Sequence, residues 1–177
     1  MKHPKKIQAG EENTVEENSL NYLLDILKLE IEIINKSVEH IIDNIQTTKN
    51  WAIVTWTGSF ALFLGQPDLH QYIIVSAIPP FMFWYADAWW RSIQSRYAFR
   101  ASKIGEVLNS KSLAESFQAG NIVGLYSFDP SGRIYKEDES YKSRTSISQT
   151  AMFPEVIVFY LPLILISILA EVIMLVK

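Results

Sequence analysis

The stretch from Trp51 to Trp90 constrains this chain more than any other. Two apolar runs, WAIVTWTGSFALFLG and YIIVSAIPPFMFWYADAWW, are joined by the short polar link QPDLHQ. Neither run holds a Lys or Arg, and Asp87 is the only acid in either. Runs this apolar are hard to bury in a soluble domain of 177 residues, so residues 51–90 predict a hairpin of two membrane-crossing helices. Pro79-Pro80 removes two amide donors from the second run and predicts a kink there. A third run, Val156 to Val176, carries one charge, Glu171, and one helix breaker, Pro162, in 21 residues, a length suited to a bilayer crossing. The expected fold is an all-α membrane protein: three transmembrane helices, long cytosolic helical extensions and a small cytosolic β-hairpin.

Charge is concentrated in 1–50 and 91–151. The net charge of −3 argues against a nucleic-acid partner, and the absence of Cys removes disulfides, thiolate metal sites and cysteine nucleophiles. Residues 1–18 are rich in Glu and Asn, poor in aromatic residues, and expected to be a disordered tail. Their basic residues are followed by no apolar core, so they do not read as a signal peptide.

Residues 19–50 predict an amphipathic helix. Leu20, Leu24, Leu27, Ile31, Ile34, Val38, Ile41 and Ile45 are spaced 4-3-4-3-4-3-4, an unbroken heptad pattern. From Leu24 onward this seam packs either on the chain's own helices or between subunits; Ile at both seam positions in its second half leans toward trimers or larger assemblies. Residues 91–152 predict a helix to about Leu108 and a capping box at Ser112–Glu115 opening a short helix. A β-hairpin, IVGLYSF and RIYK about the turn Asp129-Pro130-Ser131-Gly132, and a polar loop over 136–150 follow. Residues 17–46 hold six acids against Lys28 and Lys36, a net −4, whereas residues 91–108 hold three Arg and Lys103 against Glu106, a net +3. The two helices are expected to lie side by side with complementary charge. The third span occupies 153–177.

Lys49 precedes the first apolar run, Arg91, Arg96, Arg100 and Lys103 follow the second, and the link between them has no base. The positive-inside rule then expects a cytoplasmic N-terminus, the link outside, and the end of the third span outside, in a bacterial inner membrane.

His3, His40 and His70 are the only histidines and form no zinc motif, and no phosphate-cradling glycine loop or nucleophile elbow occurs. Neither catalysis nor a cofactor is expected. Ionisable residues in apolar runs are the functional candidates. Asp87 has Arg91 four residues on, in the favourable acid-then-base order. Glu171 has Ser167 one turn earlier in its own helix and His70 in the link as an alternative partner, a pair that reads as a clamp or as part of an ion path.

A cytosolic helix, a tight two-span hairpin and a helix returning to the cytoplasm over about 19–110 resemble, in layout, the SLATT-type membrane proteins of bacteria. The resemblance implies a membrane-perturbing or pore-forming effector of anti-phage defence. Two functions follow as expectations: a homo-oligomer whose spans form a pore, or a membrane-anchored adaptor that binds a cytosolic protein. The lipid bilayer is the expected partner in both.

Overall fold

The computed structural model describes residues 6–109 and 128–176. The long helix α1 runs over Lys6–Gly65 without a break, a 3₁₀ stretch follows over Pro67–Ala77, and α2 covers Ile78–Leu108. Beyond them lie a 3₁₀ turn, Arg133–Tyr135, two short helices, α3 (Glu139–Arg144) and α4 (Ile147–Ala151), and α5 (Pro154–Val176). The chain divides into two compact units. The first joins Met1–Ser37 to Tyr97–Ile134, the second Val38–Arg96 to Tyr135–Lys177, so α1 and α2 contribute to both.

Several expectations are corrected. The anticipated tail over 1–18 is helical from Lys6, because Glu, Lys and Gln are good helix formers and propagation from an established helix is cheap. Three membrane crossings are not supported: among the described residues one stretch, Glu139–Val176, is long and apolar enough, and its apolar part is α5. The reason is physical. The apolar end of α1, Trp51 to Leu64, gives only about 21 Å of helix at 1.5 Å per residue. The second apolar run is split, its first part 3₁₀ and its helix starting only at Ile78. Pro79 and Pro80 fall in the first turn of α2, where their missing amides have no intrahelical role, so they start that helix and do not kink it.

The β-hairpin is also overturned, since the described residues contain no strand. The turn itself forms: Gly132 N–H donates to Asp129 O at 3.0 Å, and Gly132 takes φ 66°, which a residue without Cβ adopts at no cost. Its second arm is the 3₁₀ turn Arg133–Tyr135. Most of its first arm and the capping box at Ser112 lie outside the described residues. The polar stretch 136–150 is helical in α3 and most of α4; Asp138 caps α3 by accepting the Ser140 and Tyr141 amides.

Along the heptad seam, Leu27, Ile34, Ile41 and Ile45 are buried within the single chain, while Leu24, Ile31 and Val38 are half-buried. In the first unit the burial of Leu27 and Ile34 is matched on α2 by Phe99 and Ile104. In the second unit Ala52, Val156 and Tyr160 form a small core flanked by Phe83, Trp84, Phe153 and Phe159.

Candidate functional site

In the second unit, α5 presents two chemically different sides. Val156, Tyr160 and Ser167 are fully buried, and Glu171 follows one turn later. Steps of four, seven and four residues place all of them on one stripe of a helix. Beyond Glu155 in its first turn, the exposed positions of α5, including Val158, Leu161, Leu165, Leu169, Val172 and Ile173, are apolar.

The Ser167 hydroxyl and one Glu171 carboxylate oxygen are each addressed from another element. Ser167 Oγ accepts the Trp56 indole N–H at 3.0 Å, lies 2.9 Å from Ser76 Oγ, and donates back to Leu163 O at 3.1 Å. One hydroxyl thereby ties α1, the 3₁₀ stretch and α5 together in apolar surroundings. Glu171 Oε2 accepts the Ile74 N–H at 3.1 Å. The expected Glu171–His70 pair does not form, nor does Ser167 donate to Glu171. The His70 ring instead donates from Nε2 to Leu64 O at 3.1 Å. Both side chains nonetheless line one cleft of about 450 Å³ with Pro67, Asp68, Gln71, Met174 and Leu175.

Near the start of α5, Asp87 is fully buried with three elements around it. Arg91 Nε donates to its Oδ1 at 2.9 Å, which is the i,i+4 pairing the sequence suggests. Lys49 Nζ from α1 stands 4.0 Å from Oδ2, and also 5.2 Å from the centre of the Phe159 ring. Arg91 Nη1 reaches on to Glu155 at 2.9 Å. Two acids and two bases thus balance. Asp87 Oδ2 and the Tyr160 hydroxyl are buried and interact with one another, short of a fully formed hydrogen bond. Lys49, Glu155 and Tyr160 were invisible as members of this cluster, since sequence spacing reports only pairs within one helix.

The segment ahead of α5 is stitched to α2 in antiparallel order. Ser92 Oγ donates to Thr145 O at 2.6 Å, Thr150 Oγ1 to Ala88 O at 2.7 Å, and the Trp84 indole to Ala151 O at 3.0 Å. Residues 84, 88 and 92 recur every four positions and so share a face of α2.

The first unit holds a buried ion pair. Arg100 donates from Nε to Glu30 Oε1 at 2.7 Å and from Nη2 to Oε2 at 3.0 Å; the two side chains are each 1 % exposed. The expected charge complementarity of α1 and α2 here becomes one bidentate contact; Lys28–Asp25, Lys36–Glu32 and Lys103–Glu106 are local pairs within a helix. Glu30 Oε1 also accepts the Asp129 N–H at 3.2 Å, which docks the turn on the pair. Burial raises the Asp129 pKa, but hydrogen bonds from Ser131 Oγ and the Ile134 N–H, with Arg100 nearby, outweigh it and hold the carboxyl below its ordinary value.

Among the described residues no group of three His, Asp or Glu is arranged to hold a metal ion. Comparison with family models, with characterised proteins and with solved structures finds no match for this chain.

Proposed function

We propose that the protein is a membrane-anchored adaptor, in which α5 enters the bilayer and helical surface of the first unit binds a protein partner. The observation behind the reading is the segregation on α5. Hydrocarbon offers polar atoms no water, so a helix placed there must have them met by protein; on α5 the exposed surface beyond Glu155 in the first turn is apolar, and Ser167 and Glu171 are bonded from other elements. Lys136, Lys142 and Arg144 lie shortly ahead of α5 in sequence, and by the positive-inside rule its start is cytoplasmic, in a bacterial inner membrane. On α1, Tyr22 and Leu29 are exposed, with half-buried Ile26 between them and Ile33 one turn beyond at helical spacing, the stripe offered to a partner.

The test is alkaline carbonate extraction of membranes from cells making the full chain. The protein should stay in the pellet, and Leu165→Arg with Leu169→Arg should move it to the supernatant, because each arginine at mid-helix costs about 2.5–3.5 kcal/mol of insertion. Wild-type protein found wholly in the supernatant refutes the reading.

The Tyr22–Leu29 stripe also supports a second reading, a homo-oligomer in which α1 meets a second copy, as a pore of the SLATT kind would require. Light scattering of the detergent-solubilised protein separates the two. A ring mass favours self-assembly, and a monomer favours the adaptor.

A further inference from the structure

We propose that one face of α2, with Arg144 beside it, is a docking surface for the headgroups of anionic phospholipids at the rim of the bilayer that receives α5. The proposal rests on the membrane reading of α5.

The face is graded in polarity. Phe81 is 67 % exposed, Tyr85 63 % and Trp89 42 %, followed seven residues on by half-buried Arg96. Steps of four, four and seven keep these positions on one side of the helix. Over about 22 Å, at 1.5 Å per residue, the face passes from purely apolar, through rings with one polar atom, to a guanidinium. That is the order in which a bilayer itself changes from hydrocarbon to headgroup, and tyrosine and tryptophan favour its boundary.

The stitched segment sets the level of the second arginine. Thr145 is held by Ser92 at 2.6 Å, so Arg144 adjoins this contact while Arg96 lies one helical turn beyond it. The approach to α5 is fixed on the same ladder: Ala151 is bonded to Trp84, and Glu155 to Arg91. The exposed rings therefore flank the beginning of the apolar helix, and the two arginines lie on its polar side.

Charge gives the surface its selectivity. Lys49 and Arg91 are matched by Asp87 and Glu155, and Lys142 by Glu137 and Glu139. Arg96 and Arg144 enter no ion pair among the described residues, which leaves two positive charges without a protein counter-ion. A phosphodiester is a bidentate acceptor for a guanidinium. Free phosphate would be drawn by the same charges, but it gives no account of the apolar and aromatic part of the face, which a lipid does.

The full chain is reconstituted in nanodiscs containing both phosphatidylcholine and phosphatidylglycerol, and the lipids that remain bound are counted by native mass spectrometry. Wild type should retain phosphatidylglycerol preferentially. Arg96→Gln or Arg144→Gln should each lower that preference about fivefold and the double variant about 25-fold, with salt eroding the wild-type preference. Arg133→Gln, which removes an exposed charge in the first unit, should leave it unchanged. Equal retention of the two lipids by wild type, or an equal loss in Arg133→Gln, overturns the proposal while leaving the membrane reading in place. Failure to associate with either lipid overturns both.

Discussion

Replacing Arg100 by Met tests whether the first unit is held by its buried ion pair. In the wild type, Glu30 receives two hydrogen bonds from Arg100, at 2.7 and 3.0 Å, and one from the Asp129 amide at 3.2 Å. Arg100→Met removes the cation and leaves a carboxylate out of water with the amide. Breaking such a pair on one side costs about 3–5 kcal/mol. For a chain of this size each kcal/mol moves the melting temperature by about 2–4 °C, so the midpoint should fall by about 6–20 °C. The paired replacement Glu30→Leu with Arg100→Met removes the stranded charge as well, and should return the midpoint to the wild-type value or above it. Far-UV circular dichroism during heating in one detergent, with Glu30→Leu alone as the fourth protein, gives all four corners of the cycle. The reasoning is refuted if Arg100→Met melts within about 2 °C of wild type, or if the double variant melts as low as the single one.

Ile34→Ala should destabilise by about 2–5 kcal/mol in urea even when the protein is monomeric, since Ile34 is buried within one chain, while Leu29→Ala on the exposed side should change stability by no more than about 0.5 kcal/mol. Tyr160→Phe should cost no more than about 1 kcal/mol, because the hydroxyl it deletes meets only the Asp87 carboxylate and without full hydrogen-bond geometry; a larger loss by thermal denaturation would show a fully formed bond. Asp129 has a depressed pKa, so the stability it contributes is present above its unfolded value of about 4 and is lost as pH falls through the lower folded value. Asp129→Asn should flatten that part of an acid titration followed by circular dichroism, and an unchanged acid limb would count against it.

Helix was legible where period and length agreed. The seam from Leu24 to Ile45 lies in a helix, and its most buried members recur every seven residues. Hydropathy misled in the stretch Trp51–Trp90, because it averages over residues whose backbone changes type at Gln66 and again at Ile78. Sidedness was partly readable: Asp87 and Arg91 sit one turn apart, and local spacing found them. Glu30 with Arg100, and Ser167 with Trp56 and Ser76, are 70 to 111 residues apart, and nothing in a single sequence distinguishes these polar residues from their solvated neighbours. The strand reading of Arg133–Tyr135 failed for the opposite reason. Ile and Tyr favour strands, but three residues held by Asp129 through the Ile134 amide continue the turn instead.

The stitching of α5 to the rest of its unit also bears on how the chain is made. Synthesis is vectorial, and Trp56, Ser76 and Trp84 leave the ribosome long before the partners that meet them at Ala151 and Ser167. In that interval two indole N–H groups destined for partners in the later segment stand unanswered in an apolar region. A nascent chain stalled before residue 150 would display them, the kind of surface that chaperones and proteases recognise. Arrival of α5 is therefore the event that closes the second unit.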